Sequence, residues 1–296
     1  MVTRDELLRV LSRPAQAFLR QGLDLRLPRP EERLSDDEPF ASEEPLQRHA
    51  LHQAVFTELL ATPAMATEDL SERLLARGLV APGASGAAAV AKAMSALRAA
   101  AVQWREWSGD TAERRVFELA IDGTTITGVL APVHARGLLQ LRVGKPHGRH
   151  QLALGIDALL WSALGETRPL HRLFAGEGGS AEVVAPISVA DATSALRELL
   201  GVYRRTLTAP LPFMPKSGFA YAQAIAAGKE EEKAWTSARG EWRPTHRDSF
   251  GEGDEPDVEL ALRGRDPFDD SDGESAQAFR LLSQEIFAAV RATHGH

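Results

Sequence analysis

The spacing of hydrophobic residues changes several times along this chain, and each spacing predicts a different kind of element. Over long stretches apolar residues recur every three or four positions, which is typical of helices with one buried face. Residues such as Thr3 and Ser188 indicate where helices begin, and Gly78 indicates where one ends. The predicted helices cover Asp5–Leu11, Ala15–Leu23, Leu46–Leu60, a segment from Thr67 or Ser71 to Gly78, Gly86–Trp107, Gly148–Leu164, Ser188–Leu207, Gly218–Trp235 and Ala276–Thr293.

Alternating and β-branched segments lie in the middle of the chain and predict strands. Asp122-Gly123 is a hairpin turn signal between the first two of them. Residues 27–45 are acidic and interrupted by proline, and residues 240–275 are rich in glycine, proline and acidic residues, so both segments predict linker or loop. The predicted strands are Arg115–Ile121, Thr124–Leu130, Leu138–Val143, Leu170–Ala175 and Ala181–Ile187.

This order of elements predicts an α/β (α+β) fold, in which a small mixed sheet of about four to six strands is flanked by helices. Helical additions precede and follow the sheet. We therefore divide the chain into N-terminal helices with an acidic linker (1–45), a helical subdomain (46–110), an α/β core (111–207) and a helical C-terminal extension with an acidic loop (208–296).

Composition excludes several classes of protein. The 296 residues include no cysteine, which removes disulfides and thiolate zinc sites and favours a reducing cytoplasm. Neither a signal peptide nor an apolar run of about 18 residues is visible, so we expect a cytoplasmic protein without a membrane span. A net charge of −7 argues against a protein that coats nucleic acid, but it leaves room for a local basic groove.

One window of the chain is free of acidic residues. The protein has 41 Asp and Glu residues, yet none falls between Gly123 and Ile156, and Asp122 and Asp157 bound the gap. A metal-dependent DNA nuclease would place its carboxylates on such a strand–turn–strand–helix segment. We therefore expect no divalent metal there. The window does contain basic residues that are candidates for DNA contact, namely Arg136, Arg142, Lys145 and Arg149.

The predicted order of three strands and a helix resembles the core of the PD-(D/E)xK nucleases, especially their RecB-type branch. In that family two strand carboxylates hold Mg²⁺ and a lysine helps to activate water. Here Ala131 takes the place of the first carboxylate, while Gln140 and Arg142 take the places of the second carboxylate and the lysine. Gln151 keeps the family's helix glutamine. The resemblance implies a nuclease fold without catalytic residues.

Further motifs resemble the C-terminal region of RecC, the gamma chain of exodeoxyribonuclease V. They occur in order over about 250 residues. They are Arg13-Pro14-Ala15-Gln16-Ala17-Phe18-Leu19-Arg20-Gln21, Asp37-Glu38-Pro39-Phe40, Gly83-Ala84-Ser85-Gly86, Ile126-Thr127-Gly128, Tyr203-Arg204, Ala209-Pro210-Leu211, Pro215-Lys216-Ser217-Gly218 and Gly251-Glu252-Gly253-Asp254.

This second resemblance implies a subunit of the RecBCD helicase–nuclease, with RecB and RecD as partners and DNA ends reached through the complex. It implies assembly and DNA handling in double-strand break repair by homologous recombination, without catalysis, cofactor or small-molecule substrate. Members of the family carry helicase-like domains ahead of this region, so we interpret Met1 as the start of a fragment.

Two other functions stay open at this point. A metal-dependent nuclease could draw carboxylates from outside the usual motif, for example Glu113, Glu118 or Asp157. A protein-interaction module without DNA contact is the other alternative, in which the basic residues are only a solvated loop. His147 and His150 have a spacing that could ligate a metal, but no acid or cysteine lies near them in the sequence.

Overall fold

The computed structural model describes residues 1–28, 45–109, 111–244, 250–269 and 273–291. Most of the acidic linker, the acidic motif at 37–40 and the C-terminal histidines lie outside these residues. The helices are α1 Arg4–Ser12, α2 Pro14–Ala17, α3 Pro45–Ala61, α4 Thr67–Ala76, α5 Ala84–Ser108, α6 Gly148–Ala163, α7 Val189–Thr208, α8 Pro215–Ala226, α9 Glu231–Trp242, α10 Pro256–Leu262 and α11 Gly273–Arg291. The strands are β1 Val2–Thr3, β2 Glu113–Ile121, β3 Thr124–His134, β4 Gly137–Val143, β5 Leu170–Ala175 and β6 Ser180–Val184.

All six strands form one mixed sheet, which confirms the predicted fold class. β2 and β3 form an antiparallel hairpin, and its turn residues Asp122 and Gly123 both have positive φ, at 46° and 74°. Such a turn matches the twist of the strands it joins, as the sequence predicts. β3–β4 and β5–β6 are also antiparallel, while β4 and β5 are parallel and α6 connects them.

Helices cover both faces of the middle of this sheet, so most residues of β4 and β5 are buried on both sides. Along β4, Leu138 packs in one core with residues of α1, α6, α7 and α11, while Leu139 and Val143 pack in another with α3, α4 and α5. Successive side chains of a strand point to opposite faces. Gln140 and Arg142 therefore lie on the α6 side of β4. Within the described ranges, no helix combines the length and the apolar character that crossing a membrane requires.

The C-terminal region differs from the predicted arrangement. The predicted helix 218–235 is wrong: α8 ends at Ala226, and α9 begins at Glu231. Gly228 adopts φ +72° between them, a left-handed conformation that ends a helix readily. The predicted loop 240–275 is also wrong in part, because it contains the end of α9, a 3₁₀ turn at Glu252–Asp254 and α10. Their apolar residues pack against α2 and its π-helical continuation Phe18–Gly22.

β3 has two different partners along one edge, since β2 occupies the other edge. β1 pairs with it at Ile126 and Thr127, and β4 pairs with it at Val133 and His134. Within the described sheet, residues 128–132 pair with no strand on this edge. A register shift in the β2–β3 ladder opposite these residues marks a bulge, which is a common way to redirect a strand. The result is a fork between β3 and β4.

Candidate functional site

A cleft of about 460 Å³ opens where β3 and β4 diverge. Ala131 of β3 lines this cleft. Val133 pairs with Leu138 in the antiparallel β3–β4 ladder, so Ala131, two residues before Val133, lies at the level of Gln140, two residues after Leu138. The lining residues are Thr3, Arg4, Asp5, Arg114, Thr127, Gly128, Val129, Ala131 and Asp157. The cleft thus joins the N-terminal segment, β3 and the middle of α6.

An ion pair between Arg4 and Asp157 lies inside this cleft. Arg4 Nε donates to Asp157 Oδ1 at 2.8 Å, and Arg4 Nη2 donates to Oδ2 at 2.7 Å, so the contact is bidentate. The other terminal nitrogen of Arg4 donates to Asp5 at 2.7 Å. Burial raises the pKa of Asp157, while the bonds and charge of Arg4 and the amide of Gln140 oppose that rise. One guanidinium therefore sits between two carboxylates.

A second guanidinium, that of Arg172 on β5, reaches the site from the far side of β4. Arg172 is fully buried. Its Nε donates to Gln140 Oε1 at 2.9 Å and one terminal nitrogen donates to the carbonyl of Leu154 at 3.2 Å. Burial lowers the pKa of Arg172, and the charges of Glu182 and Asp157 oppose this. Gln140 accepts from Arg172 and hydrogen-bonds Asp157, which in turn pairs with Arg4, so Gln140 and Asp157 connect the two arginines.

The four motif positions identified from the sequence are divided between separate places. Ala131 and Gln140 lie at the fork. Arg142 points toward the first turn of α6, and Gln151 lines a cavity of about 130 Å³ with Lys145 and Glu182. Among the described residues, no three His, Cys, Asp or Glu side chains lie close enough together to hold a metal ion. Glu113 and Glu118 lie on β2, opposite Val133 and Thr127 of β3.

A cluster of basic and imidazole side chains forms around the first turn of α6, and we call it the α6 junction. Its members are Arg142, His147, Arg149, His150 and Lys216. The rings of His147 and His150 are 3.9 Å apart. Burial, and then the charges of Lys216, Arg142 and Arg149, lower the pKa of His147 to about 4. Burial, His147 and Arg142 lower the pKa of His150 to about 3.

Close contact between two helix starts builds the α6 junction. A side chain on Gly148 would bring its Cβ within 1.7 Å of the Pro215 carbonyl oxygen, so only glycine fits there. The buried carboxylate of Glu252 accepts hydrogen bonds from the Lys216 N–H, the Ser217 N–H and the Ser217 hydroxyl at 3.0, 2.8 and 2.8 Å. Lys216 is thereby held beside α6.

The predicted DNA-contact residues are brought together only in part. Arg142, Lys145 and Arg149 lie near the start of α6, where Arg149 pairs with Glu255 at 2.7 Å. Arg136 is exposed in the turn between β3 and β4, at the other end of β4. A strand of this length separates the two ends by about 20 Å. One extended ligand could contact both places, whereas one phosphate could not.

Arg4 and Arg172 escaped the sequence analysis, and Asp157 was named there only as a boundary of the acid-free window and as a possible carboxylate of the alternative nuclease. Arg4 and Asp157 are separated by 153 positions, and no local pattern relates them. Arg172 did carry a signal, because a lone charge stands inside the apolar strand Leu170–Ala175 and therefore needs a buried partner. Lys216 and Glu252 were noted only as parts of motifs, and their contact depends on the fold of the C-terminal region.

Comparisons with known proteins agree on one family. The model of the RecC C-terminal domain matches residues 1–226, about three quarters of the chain. The RecBCD enzyme subunit RecC of Escherichia coli (strain K12) is 28% identical over 223 residues, which are 74% of this chain and 19% of that protein. The chain therefore spans about a fifth of the length of this curated relative.

Proposed function

Because the chain belongs to the RecC C-terminal domain family, we propose that it is the nuclease-like but non-catalytic domain of a RecC-type subunit of the RecBCD helicase–nuclease. In this role it serves subunit assembly and DNA handling during double-strand break repair by homologous recombination. Its proposed partners are RecB and RecD, and it meets DNA ends as part of the complex. The name of the relative, a RecBCD enzyme subunit, supports this assignment.

The non-catalytic role is supported by the side chains that lie in the fork between β3 and β4. A nuclease of the PD-(D/E)xK type needs anionic oxygens there for Mg²⁺. Ala131 has no such oxygen, Gln140 has a neutral one engaged by Arg172, and Asp157 is engaged by Arg4. A guanidinium carries the positive charge at the point where a catalytic site would hold a metal. The order of strands and the crossover helix α6 also support a nuclease-like core.

The enzyme alternative also finds its best support in this cleft. Asp5 and Asp157 both contact Arg4, so two carboxylates flank one point beside Gln140. A metal could replace the guanidinium only if the N-terminal segment moved away, because the guanidinium of Arg4 is bonded to Asp157 on one side and to Asp5 on the other. The non-catalytic role requires no such movement, and we favour it.

DNA handling is proposed for the basic side chains. The candidates for phosphate contacts are Arg142 and Arg149 of the α6 junction, Lys145 near it, and Arg136 at the far end of β4. Phosphate contacts position a protein on DNA without reading its sequence. The junction favours this role over a pure protein-interaction module, since Lys145, Arg142 and Lys216 have no acidic partner among the described residues.

A nuclease assay distinguishes the non-catalytic role of the cleft from the metal-dependent nuclease alternative. We expect the purified chain to leave linear DNA intact in Mg²⁺ or Mn²⁺, because Asp157 is already occupied by a cation. The assay measures the loss of full-length linear DNA on a gel. Cleavage that is lost in Asp157→Asn but kept in the exposed-residue control Glu177→Gln would contradict the proposal and establish the enzyme alternative.

Co-purification tests the assembly role. We expect the chain to elute with a RecB-type or a RecD-type subunit when each is expressed with it separately, because a subunit domain must bury surface against a partner. Size-exclusion chromatography with mass measurement is the readout. If both mixtures separate into individual chains, the assembly role is wrong for this part of the subunit.

A further inference from the structure

The α6 junction contains buried polar side-chain atoms that pair with no described residue. Arg142 is half-buried, its Nε is shielded from solvent, and it makes no hydrogen bond or ion pair with any described residue. The Nδ1 of His147 is buried in the same way without a partner. Burying unpaired polar atoms costs free energy unless a ligand pairs with them. These two atoms belong to side chains of different elements, β4 and the start of α6.

The side chains around these atoms carry more positive than negative charge. Arg142 comes from β4, Arg149 from α6, Lys216 from α8 and His49 from α3. On the acidic side, Glu255 is paired with Arg149, and Glu252 is engaged by backbone and hydroxyl donors beside Lys216. Two carboxylates thus face three permanent cations. The excess of positive charge fits a singly charged anion.

The two imidazoles have different roles in such a site. The N–H of His147 donates to Nδ1 of His150 at 3.4 Å, which leaves the proton of neutral His150 on Nε2. A proton added at Nδ1 would meet that N–H, so His150 stays neutral. The backbone N–H of His150 also faces the His147 side chain, but it donates to the His147 carbonyl at 2.8 Å, and Nδ1 of His147 makes no hydrogen bond with the described residues. His147 is the group that can take up a proton when an anion arrives.

We propose that Arg142, His147 and Lys216 bind one phosphodiester group of DNA, and that binding transfers a proton from solvent to His147. The inference rests on the DNA-handling role proposed above and assigns its chemistry to one place. The free site holds His147 neutral because burial, and then the surrounding like charges, lower its pKa. A bound phosphate offsets those charges, so the imidazolium becomes stable in the complex.

The direction of the pH dependence follows from linkage. The pKa of His147 is about 4 in the free protein, and phosphate raises it. Between these two pKa values the complex holds one proton more than the free site, so association tightens as the pH falls. The uptake of one proton gives at most about a tenfold change in affinity per pH unit. Above the raised pKa the affinity levels off.

Fluorescence anisotropy with a short labelled oligo-dT, at constant ionic strength between about pH 8 and about pH 5, tests this inference. We expect affinity to rise toward low pH by several-fold in the wild-type chain. His147→Gln should bind at neutral pH but lose that extra rise, because glutamine does not titrate. His49→Gln is the matched control, since it removes a nearby imidazole outside the three binding residues and should keep the rise. Arg142→Gln should weaken binding at every pH.

The failures of the inference and of the proposed function can be distinguished. DNA binding with the same pH dependence in wild type and His147→Gln would overturn the proton-linked site and leave the DNA role intact. An absence of DNA binding at every pH would overturn both, and the co-purification assay would still test assembly. NMR titration of the His147 ring with and without the oligonucleotide needs no variant. An unchanged His147 pKa in the complex would also overturn the inference.

Discussion

Replacing Arg4 with alanine should destabilise the protein by about 3 kcal/mol, the lower end of what the loss of one partner of a buried ion pair costs. The variant leaves Asp157 in the cleft without its bidentate donor. The side chains of Arg4 and Asp157 are 22% and 17% exposed, so water can compensate only a small part of the lost charge. Urea unfolding followed by circular dichroism measures the difference.

The pH dependence of this deficit identifies its cause. Burial already raises the pKa of Asp157, and removing Arg4 removes the cation that opposes the rise. The folded variant then binds more protons than its unfolded chain, so its stability falls as the pH rises through the raised pKa. The deficit should therefore be smaller under acidic conditions than at neutral pH. A deficit that does not change with pH would show that lost packing, not an unpaired carboxylate, is responsible.

An exposed ion pair between α7 and the β2–β3 turn provides the control. Arg197 contacts Asp122 at the β2–β3 turn, where the two side chains are 49% and 52% exposed. Arg197→Ala should cost less than about 1 kcal/mol, because solvent screens exposed pairs. If Arg4→Ala and Arg197→Ala lower the free energy of unfolding equally, the cleft ion pair stabilises the fold no more than an exposed pair, and the prediction is wrong.

Replacing Glu252 with alanine should cost at least about 3 kcal/mol, because three donors lose their common acceptor. The side chain is 2% exposed, and its loss frees the N–H groups of Lys216 and Ser217, while the Ser217 hydroxyl can still donate to the Met214 carbonyl at 3.2 Å. Two of these donors belong to the first turn of α8, where no intrahelical acceptor exists for them. The variant should therefore loosen the start of α8 as well as the turn that carries residue 252.

Glu255→Ala is the matched control for this prediction. Glu255 lies three residues further along and pairs with Arg149, but it keeps 34% of its side chain exposed. Its removal should cost about 0–1 kcal/mol. Thermal unfolding measures both variants. A small effect of Glu252→Ala would mean that water replaces the carboxylate and that the C-terminal segment contributes little to the position of Lys216.

The sheet and most helices could be predicted because their signals are local. The alternation in Arg115–Ile121, the Asp122-Gly123 turn and the Ser188 cap each depend on a few adjacent residues, and the structure contains all three. The Ser188 hydroxyl, for example, accepts from the Asp191 N–H at 3.1 Å. The error at 218–235 has a local cause too, since the pattern continued through Gly228 although its conformation ended the helix.

The candidate site could be predicted only where a motif marked it. Ala131 and Gln140 were found as substitutions in a known pattern, and both lie at the fork. Arg142 was placed with them by sequence spacing, yet it faces the α6 junction. A strand residue and the residue two positions later share a face, but a forked sheet lets neighbouring elements approach each of them differently.

The amino-acid sequence alone determined the fold class, the family resemblance and the lack of acidic residues from Gly123 to Ile156, because these depend on residue type and order. Only the tertiary structure decided what occupies the fork and what surrounds the start of α6. Arg4 contacts Asp157, and the charge of Lys216 lies close enough to lower the pKa of His147, across long separations in the chain; such arrangements are selected by packing and by the cost of burying unpaired charge. No local pattern records that cost.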